Sequence, residues 1–124
     1  MSDYRQKLGR KGEELAAEHL KKKGYKILEK NYRRYRGEID IIAKDKNYLV
    51  FVEVKASRSS SFGPPIFRVD KRKKRQLGKI ARAYYQHHRL YDQDSRFDVV
   101  TVTFADGKVE IEHIINAFWL DGPF

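Results

Sequence analysis

The chain has 124 residues and no cysteine, and its 27 Lys and Arg outnumber 17 Asp and Glu, which gives a net charge of +10. This length predicts one domain over residues 1–124, which buries about two-thirds of its unfolded surface. Without cysteine, disulfides and zinc–thiolate sites are excluded. No apolar run reaches the ~18 residues of a membrane span and the first residues are polar, so we expect a cytoplasmic protein without membrane contact. The positive charge favours a polyanionic partner, nucleic acid before a membrane surface.

The first predicted element is an amphipathic helix from about Lys7 to Lys23, which Gly24 ends. Its apolar arc consists of Leu8, Gly12, Leu15, Ala16, Ala17 and Leu20. Glu13 falls inside this arc, whereas the other acidic residues of the helix lie opposite, among Lys and Arg. Glu13 is therefore either a functional carboxylate or a charge at the margin of the buried stripe, and the helix alone does not decide between them.

A first strand is predicted from Tyr25 to about Tyr32, and a basic, aromatic connection follows at 32–36. Interleaved Arg and Tyr side chains suit phosphate contact combined with base or sugar stacking. Arg34 and Arg36 are therefore candidate nucleic-acid contacts. A solvated turn explains the same residues equally well.

The hairpin that comes next carries charges inside two strand-like apolar runs, 37–42 and 51–55. Burying an unpaired carboxylate costs several kcal/mol, so such charges usually face a metal, a substrate or each other. One face of the hairpin is wholly apolar and consists of Ile39, Ile41, Ala43, Val50, Val52 and Val54, whereas the other face is half apolar. This pattern predicts a hairpin in the middle of a sheet that helices cover on both sides.

A two-residue tip at 46–47 sets the register of this hairpin, because it places Asp40 opposite Glu53 and Glu38 opposite Lys55. Directly opposed Cβ atoms are roughly 4.5–5.5 Å apart, close enough for two carboxylates to hold one divalent cation. The alternative is a surface hairpin with a Glu38–Lys55 ion pair. That alternative leaves Asp40 facing Glu53, a destabilising contact between like charges, so we favour the metal site.

A loop rich in Ser, Gly and Pro is predicted over 56–68, and it is either able to close over a substrate or only a connection. The second helix is predicted to begin at Asp70 as its N-cap and to continue to about Arg89. Its predicted core stripe is Leu77, Ile80, Ala81, Tyr84 and His88. Five of the six residues at 71–76 are cationic, against the helix dipole, which favours Lys73 and Lys74 as phosphate-binding residues.

Two further strands are predicted at 96–104 and 108–114, joined by a turn that contains Asp106 and Gly107. Asp98 begins the first of them among apolar neighbours and is a second-rank site candidate. The apolar segment 117–120 is predicted to cap the fold, with Trp119 as part of a docking patch if the chain is a structural subunit.

The order of a helix with Glu13, a strand, a hairpin with Asp40 and Glu53-x-Lys55, a long helix and two strands resembles the PD-(D/E)XK nuclease superfamily. Over essentially its whole length the chain is more closely similar to the YraN-like family of small bacterial proteins. The matching segments are GRKGE at 9–13, GEID at 37–40, FVEVK at 51–55 and FG at 62–63. The spacing is also similar to that of archaeal Holliday junction resolvases. The resemblance implies an α/β fold, a restriction-endonuclease-like three-layer α/β/α domain with a central mixed sheet in the order α-β-β-β-α-β-β.

The resemblance also assigns roles to residues. It implies metal binding by Asp40 and Glu53, catalysis by Lys55 and a supporting metal role for Glu13. A backbone carbonyl beside Glu53, at Val54, is expected to complete a site for Mg²⁺ or Mn²⁺.

The expected function is that of a metal-dependent endonuclease that hydrolyses phosphodiester bonds in DNA, with selectivity for junctions or repair intermediates as one form of it. Glu38, opposite Lys55, is expected to set the position or protonation of the lysine. The alternative is a nucleic-acid-binding module, or a structural subunit of a DNA-processing complex, that keeps the nuclease fold. Junction cleavage favours a homodimer, because two opposed cuts need two sites, but one chain does not fix the oligomeric state.

Overall fold

The structure is a computed structural model that describes residues 2–58 and 71–118. Within these ranges the elements follow in the order helix, three strands, helix, two strands, which is the order that the resemblance implied. They are α1 Ser2–Lys22, β1 Lys26–Arg34, β2 Gly37–Asp45, β3 Tyr48–Ser57, α2 Lys71–His87, β4 Asp94–Ala105 and β5 Lys108–Phe118. Neither helix is long and apolar enough, over the residues described, to cross a membrane.

The strands form one five-stranded sheet in which they lie side by side in chain order, β1 to β5. β3 and β4 run parallel, whereas the other neighbouring pairs are antiparallel. A parallel pair requires a crossover connection, and α2 lies in the chain between β3 and β4. The predicted central mixed sheet is confirmed.

The two faces of the sheet carry separate apolar clusters. One cluster packs Ala16, Ala17 and Leu20 of α1 against Ile41, Ala43, Val50, Val52, Val100 and Val102. The other packs Leu77, Ile80, Ala81 and Tyr84 of α2 against Ile39, Ile42, Leu49, Phe51, Phe97 and Val99. The helices therefore cover opposite faces, as the apolar runs of β3 require, and the three-layer α/β/α prediction is confirmed.

α1 begins at Ser2, earlier than the predicted start near Lys7. The apolar periodicity misses the first turns because they are held by a different contact, in which the guanidinium of Arg58 lies 4.6 Å from the ring centroid of Tyr4. The predicted end is confirmed: Gly24 has a φ of +95°, the left-handed conformation that commonly ends a helix.

α2 ends at His87, so the predicted place of His88 in its core stripe is wrong. The helical spacing continues through His88, but the chain does not, since Arg89 adopts a φ of +53°. The exposed His88 ring instead lies 4.2 Å from the ring of Tyr84. The predicted N-cap Asp70, the loop from 59 onward, Phe62-Gly63 and Trp119-Leu120 lie outside the described residues.

The remaining strands are longer than predicted. β1 continues to Arg34, so the basic connection is mostly strand and only Tyr35 and Arg36 form the turn. β4 and β5 extend over 94–105 and 108–118. Their predicted turn is confirmed, with positive φ at Asp106 and Gly107.

Candidate active site

The hairpin of β2 and β3 has the predicted register over its outer half, where backbone pairing runs from the tip to Ile41 and Val52. The ladder ends there, so the prediction that it continues to a pair between Asp40 and Glu53 is wrong. The physical reason is a competing hydrogen bond: the backbone N–H of Val54 donates to Oδ2 of Asp40 at 2.8 Å. The Asp40 side chain thus accepts the hydrogen bond that a backbone carbonyl of β2 would accept in a regular ladder.

β2 also changes its alternation at this point. Ile39 and Ile42 both lie in the α2 cluster, whereas Ile41 lies in the α1 cluster. The prediction that Ile39 shares a face with Ile41 is therefore wrong. On the neighbouring strand, Asn31 has a φ of +54°, so both strands depart from regular geometry beside Asp40.

This irregularity brings Asp40 and Glu38 together with α1, where Glu13, Glu38 and Asp40 each offer a carboxylate oxygen within 4.8 Å of the others. We call these three residues the carboxylate cluster. The side-chain amide of Asn31 joins two of them, donating to Glu13 at 2.8 Å and to Glu38 at 2.9 Å. Nε of Arg33 donates to the other oxygen of Glu38 at 3.0 Å. Glu38 therefore contacts β1 and the cluster. The predicted backbone pairing of Glu38 with Lys55 is wrong, because the ladder between β2 and β3 ends before it reaches them.

Asp40 connects the cluster to Glu53. Burial raises the pKa of Asp40, and the hydrogen bond and charge of Glu53 raise it further, to about 9, although the Val54 N–H acts in the opposite direction. Burial also raises the pKa of Glu38, but hydrogen bonds from Asn31 and other neighbours outweigh it and lower that pKa. Without a cation, Asp40 therefore holds a proton more readily than an exposed aspartate, whereas Glu38 loses its proton more readily than usual.

Two lysines reach Glu53, whose side chain is only 8% exposed. Nζ of Lys73, on α2, lies 3.5 Å from Oε2 of Glu53, and Nζ of Lys55 lies 3.9 Å from the same oxygen. Both lysine side chains are substantially exposed, at 40% and 47%. The structure therefore brings the predicted Asp40, Glu53, Lys55, Glu13, Glu38 and Lys73 together where β2 and β3 separate.

The remaining predicted nucleic-acid contacts are Arg34, Arg36 and Lys74. Nε of Arg34 donates to the hydroxyl of Tyr32 at 3.2 Å, and Arg36 lies in the exposed turn after β1. Lys74 points elsewhere, since its Nζ lies 5.7 Å from the ring centroid of Phe118. The metal role of the Val54 carbonyl stays a prediction.

Asp98 belongs to a separate network. It is fully buried and accepts hydrogen bonds from Arg96 at 3.0 Å and from the N–H of Asn116 at 2.9 Å, and Nε2 of His113 lies 2.7 Å from its other oxygen. Burial raises the pKa of Asp98, but these partners outweigh it and hold the pKa below its usual range. These contacts join Asp98 to neighbours on β4 and β5 and to no residue of the carboxylate cluster, which favours a stabilising role; its second-rank site role stays a prediction.

The model of the uncharacterised protein family UPF0102 matches residues 12–102. The chain belongs to this family. The YraN-like resemblance is thereby confirmed. The matched segment begins one residue before Glu13 and contains every carboxylate and lysine of the site.

Relatives within UPF0102 are similar over nearly the full chain. A UPF0102 protein of Geobacter metallireducens is 47% identical over 120 residues, which is 97% of this chain and 98% of the relative. One from Syntrophomonas wolfei is 48% identical over 111 residues, 90% of this chain and 96% of the relative. One from Desulfosudis oleivorans is 48% identical over 118 residues, 95% and 94% of the two chains.

The donor set of this UPF0102 site fits a hard divalent cation. Every side-chain donor in the carboxylate cluster is a carboxylate oxygen, the ligand type that Mg²⁺ and Mn²⁺ prefer. Two ligands on opposite sides of one Mg²⁺ lie ~4.2 Å apart, twice its bond length. The ligand oxygens of the cluster lie at most 4.8 Å apart, so they need to move only slightly closer together to bind one ion. Glu53 lies beside Asp40 and offers a further ligand oxygen.

Proposed function

We propose that this chain is a nuclease that hydrolyses phosphodiester bonds of DNA with Mg²⁺ or Mn²⁺. The observation that carries the proposal is the contact of Asp40 with both Glu53 and the rest of the carboxylate cluster, at a point that Lys55 and Lys73 also reach. Its partner is DNA, its location is the cytoplasm, and two copies act together if the substrate is a junction.

The site holds the carboxyl groups of Asp40 and Glu53 in close contact, an arrangement that folding alone disfavours. Asp40 is buried beside Glu53 at a cost in stability, because burial and the charge of Glu53 both disfavour the ionised form of Asp40. A domain that only binds a polyanion gains nothing from this arrangement, since carboxylates repel phosphates. Carboxylates held close together inside a chain of charge +10 are instead what a cation between protein and phosphate requires.

The carboxylates of Glu13, Asp40 and Glu53, with Glu38 and the carbonyl of Val54, would hold the cation. When bound, it supplies a Lewis acid that polarises the scissile phosphate and lowers the pKa of the attacking water. Binding of the cation would require the ionised form of Asp40, which a nearby positive charge favours. The N–H of Val54 keeps the Asp40 carboxylate in position.

The lysines provide the remaining charge. Lys55 lies at the solvent edge of Glu53, where its ammonium group can orient the attacking water or bind a phosphate oxygen. Lys73 approaches from the other helix layer and stabilises the negative charge that develops on the phosphate. Both are positioned by Glu53 before the substrate arrives, so little reorganisation accompanies the reaction.

A second candidate function, a nucleic-acid-binding module without cleavage, is favoured by one observation. The exposed turn of α2 lines an open groove with Arg72, Lys73, Arg75 and Lys79, a set of cations suited to phosphates. The groove is compatible with either function, so cleavage must be measured directly.

The test uses protein freed of metal by EDTA and then supplied with Mg²⁺ or Mn²⁺. Substrates are supercoiled plasmid, a four-way junction, a flap, single-stranded DNA and RNA of the same sequence. We expect cleavage only with metal, and none by Asp40→Asn or Glu53→Gln variants that bind DNA as the wild type does. DNA binding without cleavage of any substrate by the wild type would favour the binding module and overturn the nuclease.

A further inference from the structure

The turn between β1 and β2 is conformationally costly. Tyr35 and Arg36 both have positive φ, 52° and 60°, the combination of a type I′ turn that Asn and Gly adopt most readily. Bulky residues rarely adopt this conformation, and such strain is concentrated at functional sites. Across the described ranges, no other adjacent pair without glycine shares it.

The ring of Tyr35 is exposed, with 63% of the residue accessible. Tyr84, by contrast, is buried in the α2 cluster, and Tyr32 packs against it with the ring centroids 5.2 Å apart. Exposure of Tyr35 on a strained turn contributes nothing to the fold that we can identify. The ring is therefore available to a ligand.

Cationic side chains share two open grooves with this ring, of about 670 and 660 Å³. In one groove the cations come from α2, namely Arg72, Lys73, Arg75 and Lys79. In the other, Arg33, Arg34 and Arg36 join Lys73. An aromatic ring among cations is the arrangement with which proteins hold single-stranded nucleic acid, because the bases stack and the phosphates pair.

The grooves lead to the proposed active site. Lys73 lines both grooves and lies 3.5 Å from Glu53, and Glu38 of the carboxylate cluster lines the second groove. A strand whose base stacks on Tyr35 can thus place a neighbouring phosphate near the cluster.

The turn that carries Tyr35 also lies directly against α2. Gly37, directly after the turn, packs so closely on this helix that a Cβ atom there would lie 2.6 Å from Nε2 of Gln76 and 2.9 Å from Cδ1 of Ile80. The turn is therefore adjacent to the helix that carries Lys73.

We propose that Tyr35 stacks on an unpaired nucleobase, and that the substrate carries a single-stranded segment beside the phosphate held at the carboxylate cluster. Bases within continuous duplex have both faces covered by their neighbours, so only an unpaired or terminal base offers a face to the ring. The preferred substrates are then single-stranded or branched DNA, not intact duplex. This inference rests on the proposed function for the chemistry at the cluster, but the stacking itself requires no cleavage.

The experiment measures binding in EDTA, where no cleavage occurs. The probes are a single strand, a flap and a duplex of matched sequence, with 2-aminopurine in the unpaired segment. The variants are Tyr35→Phe, which keeps the ring, and Tyr35→Asn, which removes it and suits positive φ better, so the turn stays folded. Tyr91→Ala is the matched control, because Tyr91 is also exposed, at 80%.

We expect Tyr35→Asn to weaken binding of the single strand and flap by about 5- to 140-fold, the effect of losing one stacked base, with duplex binding unchanged. Quenching of 2-aminopurine should disappear in Tyr35→Asn and persist in Tyr35→Phe and Tyr91→Ala. Unchanged binding, or equal weakening for single strand and duplex, would overturn the inference.

The outcomes for the two proposals are separable. If Tyr35→Asn has no effect but the wild type cleaves DNA with Mn²⁺, only the stacking inference fails. If the stacking preference is found in EDTA but no substrate is cleaved with metal, only the nuclease fails.

Discussion

The carboxylate of Asp40 accepts a hydrogen bond from the backbone N–H of Val54 at 2.8 Å, just beyond the last backbone pair between their strands. Backbone pairing stops here, and the side chain of Asp40 bonds to β3 in its place. The position of the carboxylate is thus set by the main chain, which a change of neighbouring side chains does not alter. The same hydrogen bond ends the ladder and orients the central residue of the site.

The close approach of α1 to β3 predicts a strong effect of Gly12→Ala. A Cβ at Gly12 would lie 2.7 Å from Cβ of Ala56, so the helix must move, and Glu13 moves with it. We expect a loss of about 1–3 kcal/mol in the free energy of unfolding, measured by chemical denaturation. The affinity for Mn²⁺, measured by calorimetry, should fall by a larger fraction than the free energy of unfolding does.

Gly9→Ala is the control for this prediction, because it lies in the same helix and a Cβ there meets nothing within 4 Å. Replacing a helical Gly by Ala stabilises by up to ~1 kcal/mol, so Gly9→Ala should be as stable as the wild type or more so. Equal behaviour of the two variants would show that α1 is not held tightly against β3.

The buried network of Asp98 predicts a defined pH dependence of stability. The pKa of Asp98 is lowered in the folded protein, so its contribution is fully present above the unfolded value of ~3.9. That contribution is lost as the pH falls through the lower folded pKa. At neutral pH, Asp98→Asn should cost about 3–5 kcal/mol, because Arg96 and His113 lose their charged partner.

Urea unfolding at pH 7 and at pH 3 measures this effect. The difference in the free energy of unfolding between wild type and Asp98→Asn should shrink at the lower pH. At pH 7 and below its melting temperature, the Asp98→Asn variant should still cleave DNA. Abolished metal binding in a folded Asp98→Asn variant would contradict the structural role.

Much of the fold follows from local patterns in the sequence. Gly24 marks the end of α1, and the two-residue tip at 46–47 fixes the hairpin register, since a one-residue slip would turn Glu53 and Lys55 to the opposite face of the sheet. The break at Asp40 could not be predicted in the same way, since it arises from a hydrogen bond between a side chain and the backbone, and the apolar alternation carries no sign of it.

The contribution of β1 to the site was missed for a related reason. Pairing across the turn at 35–36 matches Arg33 with Glu38 and places Asn31 beside Asp40. The rule that set the register of the second hairpin would have found both residues. A Tyr-Arg turn, however, lacks the Gly or Asn that marks a tight hairpin in a sequence.

Lys73 and Lys74 are adjacent in sequence but differ in surroundings, which predicts different effects on DNA binding. Lys73 lines both grooves beside Tyr35, whereas Lys74 lies over the ring of Phe118. Lys73→Ala should weaken binding and reduce the slope of log K against log salt by about 0.9 for each duplex phosphate that the protein no longer neutralises. Lys74→Ala, the matched control, should change the slope less.

Salt titrations of both variants with the same oligonucleotide make this comparison. Because Lys73 also pairs with Glu53, melting temperatures confirm that each variant is folded. Equal slopes for the wild type and Lys73→Ala would mean that the phosphates bind on another surface.

Glu53→Gln distinguishes an active-site carboxylate from a structural ion pair. The amide keeps the shape of the side chain but removes the charge that a divalent cation needs, so metal binding and cleavage should be lost while DNA affinity is kept. The Gln amide can still hydrogen-bond to Asp40, and the Glu53 charge that raises the pKa of Asp40 is gone. Lys55 and Lys73, at 47% and 40% exposure, stay in contact with water when Glu53 is replaced. We therefore expect the melting temperature in EDTA to stay level or rise.

Melting curves of wild type and Glu53→Gln with and without Mn²⁺ measure both properties at once. Metal should raise the melting temperature of the wild type, since a ligand at 100 times its Kd stabilises by ~2.7 kcal/mol, and should leave Glu53→Gln unchanged. Glu14→Gln, on the exposed face of α1, is the control for loss of one negative charge, and it should respond to Mn²⁺ as the wild type does. If Glu53→Gln instead lost about 3–5 kcal/mol in EDTA, Glu53 would be the partner of a buried cation, and the active-site assignment would fail.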